Sequence, residues 1–130
     1  MQISELPTVK YFPRCCTNVN GELIQIICCK YYIYSLINAE NGKRYIGRTI
    51  NPRSRINTHL ALLKSGKHRN SLLNKDSGQK FNFEILSDSI IDANEAKRME
   101  RFYMLKYKTY DSELGYNGND RMMQKYKESK

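Results

Sequence analysis

Arg55 and His59 lie four residues apart, so any helix containing both presents them on one face. A guanidinium there can hold a phosphate through its planar fork, while the imidazole donates to another oxygen or orients a hydroxyl. A solvated surface pair explains the same spacing. Upstream, Tyr34 and Tyr45 sit in two tyrosine-rich runs separated by Asn41-Gly42. If those two residues form a tight hairpin turn, Glu40 faces Lys43, Asn38 faces Tyr45, Leu36 faces Gly47 and Tyr34 faces Thr49. Strand alternation then puts Tyr34 and Tyr45 on one face, left uncrowded by Gly47. A looser loop would change that register, and two aromatics covering a helix would need no chemistry at all. Downstream, Ala96, Glu100, Tyr103 and Tyr107 form a 4-3-4 stripe flanked by Met99 and Phe102. An acid within an apolar face needs a cation, a hydroxyl or a metal as partner. A salt bridge to an arginine such as Arg55 competes with the metal reading. Asn117, between Gly115 and Gly118, reads as a turn former.

The elements around these residues are legible in outline. The stretches 31–37 and 44–48 predict strands. Asn51 followed by Pro52 predicts a helix start, Ile56, Leu60 and Leu63 give its apolar repeat, and Gly66 lies just past its end. A shorter helix around Arg69 to Lys75 is expected to bury Leu72, with Leu73 as a further candidate. The run KFNFEIL places Phe81, Phe83 and Ile85 on one strand face. Asp92 with Glu95 resembles a capping box opening a helix to about Lys108. Before residue 30, TVKYF and ELIQIICC read as further strands, with Asn20-Gly21 as a turn between them. Helices on a small mixed or antiparallel sheet make an α+β domain, with an N-terminal hairpin or extra edge strand. The expected division is residues 1–29 as an N-terminal extension, 30–120 as the main domain and 121–130 as a basic polar tail.

At 130 residues the chain can build a core without disulfides. Lys and Arg number 22 against 13 Asp and Glu, a net charge of +9 spread along the chain. That charge suits nucleic acid, an acidic protein or an anionic surface. No apolar run approaches membrane-spanning length, and the start lacks the order of a secretory signal. A cytoplasmic or host intracellular location is the expectation. Cys15-Cys16 and Cys28-Cys29 are adjacent pairs, not the C-x-x-C spacing of a zinc site. They could meet across a hairpin as a disulfide or half a metal site, or remain buried thiols.

At the residues already singled out, the sequence resembles the GIY-YIG nuclease domain, in the branch of small phage and intron-encoded homing endonucleases. Tyr32-Ile33-Tyr34 matches the first signature with tyrosine in place of its glycine, and Tyr45-Ile46-Gly47 matches the second intact. Arg55 and His59 match the arginine and histidine of the first helix, Glu100 the metal-binding glutamate, and Asn117 the late asparagine. The resemblance covers about residues 31 to 118. It implies a three-stranded antiparallel sheet between helices, a phosphodiester-cleaving site, and Mg²⁺, with Mn²⁺ as an alternative, held by Glu100. It also implies duplex or branched DNA as substrate, with Arg48, Arg53, Lys64, Lys67, His68 and Arg69 as DNA-binding residues. Tyr34 is the candidate proton acceptor, with Tyr45 positioning phosphate or water. Arg55 would stabilise charge, His59 orient Tyr34 or relay its proton, and Asn117 brace the site. Tyr32 departs from the pattern and implies a local packing change. Members of this branch often carry a DNA-binding region after the nuclease domain. Here the sequence ends soon after Asn117, which does not favour site-specific homing unless the chain is a fragment. One site handles one strand, so a double cut requires a homodimer, successive attack or rearrangement. A basic binding module with little cleavage, or a structural protein with an acidic partner, are the competing functions.

Overall fold

A computed structural model describes residues 2–6, 16–17, 23–24 and 30–118. The expected strand in TVKYF, the partners of Cys15, Cys28 and Cys29, and the tail 121–130 lie outside the described residues. In the N-terminal extension, β1 (Cys16–Thr17) and β2 (Leu23–Ile24) pair antiparallel, and the expected Asn20-Gly21 turn lies outside the described residues. They form a small sheet of their own rather than an edge of the main one.

The main sheet contains β3 (Tyr31–Asn38), β4 (Arg44–Thr49) and β5 (Phe81–Ile90), in the order β4-β3-β5 and antiparallel throughout. Helices α1 (Pro52–Ser65) and α2 (Ser71–Asn74) follow β4, and α3 (Ala93–Tyr107) follows β5. This is the expected α+β order. Asn51 caps α1 by accepting from the Ser54 N–H, Pro52 takes the first position, and Gly66 closes the end at φ 72°. The Asp92 carboxylate caps α3 through the Asn94 N–H. Among the described residues no helix is long and apolar enough to cross a membrane.

Central strand β3 is buried on both faces, which is why its apolar run is nearly continuous. Tyr34 and Leu36 pack with Ile56 of α1 and with Phe81, Phe83 and Ile85 of β5. Ile33 and Ile46 point the other way, against Ala96 and Met104 of α3, with Tyr31 in the same cluster. Each fully buried aliphatic side chain in these layers contributes about 1.5–3 kcal/mol of transfer free energy. Leu73 of α2 belongs to a third cluster with Leu63 and Tyr116.

The hairpin register differs from the two-residue-turn expectation. Tyr34 faces Gly47, Leu36 faces Tyr45, and Tyr32 faces Thr49. A type I′ turn needs positive φ at both central residues, and here only Gly42 has it, at 76°. The loop is instead held by the Asn38 and Asn41 side chains, which accept from the Glu40 and Lys43 N–H groups. The slip is two residues, so Tyr34 and Tyr45 remain on one face; a slip of one would have parted them.

Gly47 sits directly beneath the Tyr34 phenol. A Cβ added there would collide with the Tyr34 hydroxyl and ring. Gly47→Ala is therefore expected to displace Tyr34 and slow any chemistry it serves, by about tenfold or more. Single-turnover rates alongside a thermal melt check this, and an unchanged rate would mean that the phenol tolerates the shift.

Candidate active site

The α1-side face of the sheet gathers the first part of the site. Tyr34 comes from β3, Tyr45 from β4, and Arg55 and His59 from one face of α1. The Tyr34 Oη and His59 Nε2 lie 2.8 Å apart. The ring centroids are 6.3 Å apart for Tyr34–Tyr45 and 5.4 Å for Tyr45–His59. The Arg55 guanidinium lies close enough to both phenols for its charge to act on them. The i, i+4 spacing puts Arg55 and His59 on the α1 face that meets the two phenols.

His68 joins this cluster. Its ring stacks on His59 with centroids 5.0 Å apart, and its Nε2 lies 2.7 Å from His59 Nδ1. The Asn70 backbone N–H donates to His68 Nδ1 at 3.0 Å, so that nitrogen must be an acceptor. In neutral His68 the proton then sits on Nε2 and donates to His59 Nδ1. His59 in turn keeps its proton on Nε2 and donates to the Tyr34 oxygen. A backbone amide therefore sets two tautomers in series, and Tyr34 accepts from His59 beside the Arg55 charge. Sequence reading placed His68 with the DNA-contacting residues. Its proximity to His59 arises because the chain reverses at Gly66, and the spacing of nine residues carries no helical signal.

Burial raises the Tyr34 pKa well above the usual phenol value, and neighbouring Tyr45 adds to the rise while Arg55 opposes it. His59, only 3% exposed, is pushed down to about 3 by burial and by the Arg55 charge. His68 is lowered for the same two reasons. Because the folded His59 pKa lies below the ordinary 6.5, the unfolded chain gains a proton first as pH falls. That contribution to stability is whole above about 6.5 and is lost as pH drops toward about 3. His59→Gln removes it, so urea midpoints measured on acidification should fall less steeply in the variant. Parallel slopes would contradict a neutral buried His59.

Glu100 approaches from α3, on the other face of the sheet. It is 13% exposed, and its Oε1 accepts from the Arg48 guanidinium at 2.7 Å. The cation facing it is Arg48, which sequence reading counted among the DNA contacts, rather than Arg55. The two arginines differ because α1 and α3 cover opposite faces and Arg48 alternates with Gly47 on β4. Tyr34 and Glu100 still feel one another's charge, across edge strand β4. The site therefore straddles that edge.

Asn117 fixes the edge itself. Its Oδ1 accepts from the Ile46 N–H at 2.8 Å and its Nδ2 donates to the Ile46 carbonyl at 3.0 Å. The Tyr116 N–H bonds the Arg44 carbonyl at 2.9 Å, so residues 115–117 cover β4 as a short partner. Asn117 thereby holds the residue between Tyr45 and Gly47. Arg53 is half-buried, while Lys64, Lys67 and Arg69 are exposed positions on α1 and the loop after it.

A magnesium-type ion often uses one protein carboxylate and completes its shell with waters and phosphate oxygens. Glu100 at the rim of this cluster fits that donor set. Among the described residues no group of three His, Cys, Asp or Glu side chains could hold an ion by itself.

Two solved structures share the fold. One is a mutant catalytic domain of the intron endonuclease I-TevI, with a TM-score of 0.59 and 23% identity over 67% of this chain and 91% of that one. The other is the catalytic domain of the homing endonuclease I-TevI, with a TM-score of 0.59 and 22% identity over 66% of this chain and 95% of that one. No curated protein matches the sequence. Residues 30–117, well over half of the chain, match the GIY-YIG catalytic domain, so the protein belongs to this family of nucleases.

Proposed function

We propose that the chain is a divalent-metal-dependent DNA endonuclease that hydrolyses phosphodiester bonds through one site, with Mg²⁺ as the ion and Mn²⁺ as a substitute. The observation that carries this is the Tyr34 hydroxyl, hydrogen-bonded to His59 beside the Arg55 charge, with Glu100 across the β4 edge. Glu100 would hold the ion, which when bound supplies Lewis-acid stabilisation of the leaving 3′-oxygen. The remaining roles belong to the chain's own residues. His59 donates to the Tyr34 oxygen and Arg55 adds its positive charge, and both favour the anionic form against the cost of burial. As phenolate, Tyr34 takes a proton from the attacking water while that oxygen bonds phosphorus and the P–O3′ bond breaks. The tautomer set by Asn70 leaves His59 orienting Tyr34, since its Nε2 already carries a proton. Arg55 stabilises charge on the phosphoryl oxygens, and Tyr45 positions phosphate or water. Arg53, Lys64, Lys67 and Arg69 would meet the DNA backbone, a binding term that weakens with salt.

The Arg48–Glu100 ion pair favours a second reading, in which Glu100 is structural and the domain binds DNA but cleaves little. A plasmid and a panel of branched DNAs separate the two. With Mg²⁺ or Mn²⁺ the protein is expected to nick or cut at least one substrate, and excess chelator should silence it. Binding without cleavage of any substrate would favour the second reading. Equal products with and without chelator would remove the ion from the account.

A further inference from the structure

The apolar cluster that contains Tyr34 takes members from outside the matched segment 30–117. Residues Ile3–Glu5 form a 3-10 turn, closed by the Glu5 N–H to the Gln2 carbonyl and the Leu6 N–H to the Ile3 carbonyl, both 3.0 Å. The Glu5 carboxylate also accepts from the Gln2 N–H at 3.2 Å. This turn packs on α1, the helix that carries Arg55 and His59. Leu6, just after it, is 4% exposed and shares one apolar cluster with Tyr34, Leu36 and Ile56. Ile3 joins that cluster from its rim.

We infer that Leu6 is a positioning residue for the catalytic phenol, and that residues 2–6 clamp α1 against β3 from outside the nuclease domain. The inference rests on the nuclease reading of the site. Tyr34 Oη must stay where His59 reaches it, and a 2.8 Å hydrogen bond tolerates little displacement. The phenol end is held by that donor and by Gly47 beneath it. The apolar body of the ring is held by its cluster, and Leu6 is the member of that buried set that comes from outside the sheet and α1. Truncating Leu6 opens a cavity in the cluster, and neighbouring groups relax only partly into it. A misplacement of about 1 Å in a reacting group can cost on the order of 100-fold in rate.

The full chain is tested by single-turnover cleavage and by DNA affinity, at a temperature where melts show each variant folded. Leu6→Ala should slow the bound-state chemistry by about tenfold or more, with affinity within about twofold because the basic surface is untouched. Leu6→Met, which refills the space, should return the rate to within about threefold of wild type. Ile90→Ala is the control: it opens the α3-side cluster, which shares no member with the Tyr34 cluster, and should lose stability without losing rate. If Leu6→Ala does not fold, Leu6→Val takes its place with a smaller loss in the same direction. A wild-type rate in the folded Leu6 variant, or an equal rate loss in Ile90→Ala, would overturn the inference. Inactivity of the wild type on every DNA would instead overturn the nuclease reading on which it rests.

Discussion

Glu100→Gln is expected to lower cleavage by on the order of 1,000-fold or more, since losing a bound ion removes several kcal/mol of transition-state stabilisation. Affinity for DNA should remain within about twofold, because counterion release from the basic surface does not involve this carboxylate. Glutamine keeps the shape of the side chain in the α3 stripe and loses only its charge. The change also leaves Arg48 facing a neutral group. Arg48 is 36% exposed, so water can take over its solvation, and partly exposed ion pairs are generally worth only about 0–1 kcal/mol. Unfolding therefore cannot imitate the expected loss of rate. Cleavage measured beside equilibrium binding at one salt concentration separates the roles. Equal cleavage by variant and wild type would reduce Glu100 to a structural partner of Arg48.

Tyr34→Phe should fold as the wild type does and slow the chemical step by about 10²- to 10⁴-fold, the range for a proton-transferring group. The ring stays, so the cluster with Leu36, Ile56 and Leu6 is preserved. What disappears is the oxygen that accepts from His59. The buried His59 N–H is then left facing an apolar ring edge, which costs about 1–3 kcal/mol for a buried polar group and should show as a modest fall in melting temperature. Tyr31→Phe is the matched control. Tyr31 is on the same strand but packs in the α3-side cluster, away from the His59 imidazole that meets Tyr34. Comparable chemistry rates for Tyr34→Phe and wild type would return Tyr34 to packing and leave Tyr45 as the next candidate.

The parts of this fold that were legible in the sequence are those dictated by local chemistry. Asn51, Pro52 and Gly66 mark both ends of α1 because capping groups act within a turn of the helix they end. The shared face of Tyr34 and Tyr45 was legible because strand alternation survives a two-residue slip. The register itself was not, since Asn38 and Asn41 side chains hold a looser loop than Asn-Gly implies. Pairings across the fold were hidden for a different reason. Which arginine meets Glu100 depends on the face that α3 covers, and no spacing between residues 48, 55 and 100 encodes that. Asn117 reads locally as a turn former, yet both ends of its amide are consumed by the backbone of Ile46, 71 positions earlier in the chain. His68 carried a basic-surface signal until the reversal at Gly66 folded it onto His59. Leu6 carried no signal at all, because a lone leucine before the main domain has no period to betray it.

The central claim is that Tyr34, Arg55, His59 and Glu100 form one hydrolytic site. It is tested most directly by following a supercoiled plasmid with excess protein and Mg²⁺, for wild type and for the Tyr34→Phe/Glu100→Gln double variant purified identically. The account predicts nicked or linear plasmid from the wild type, none from the double variant on the same timescale, and equal retention of the DNA by both proteins. Equal nicking by the two preparations, or no nicking by either, would contradict it.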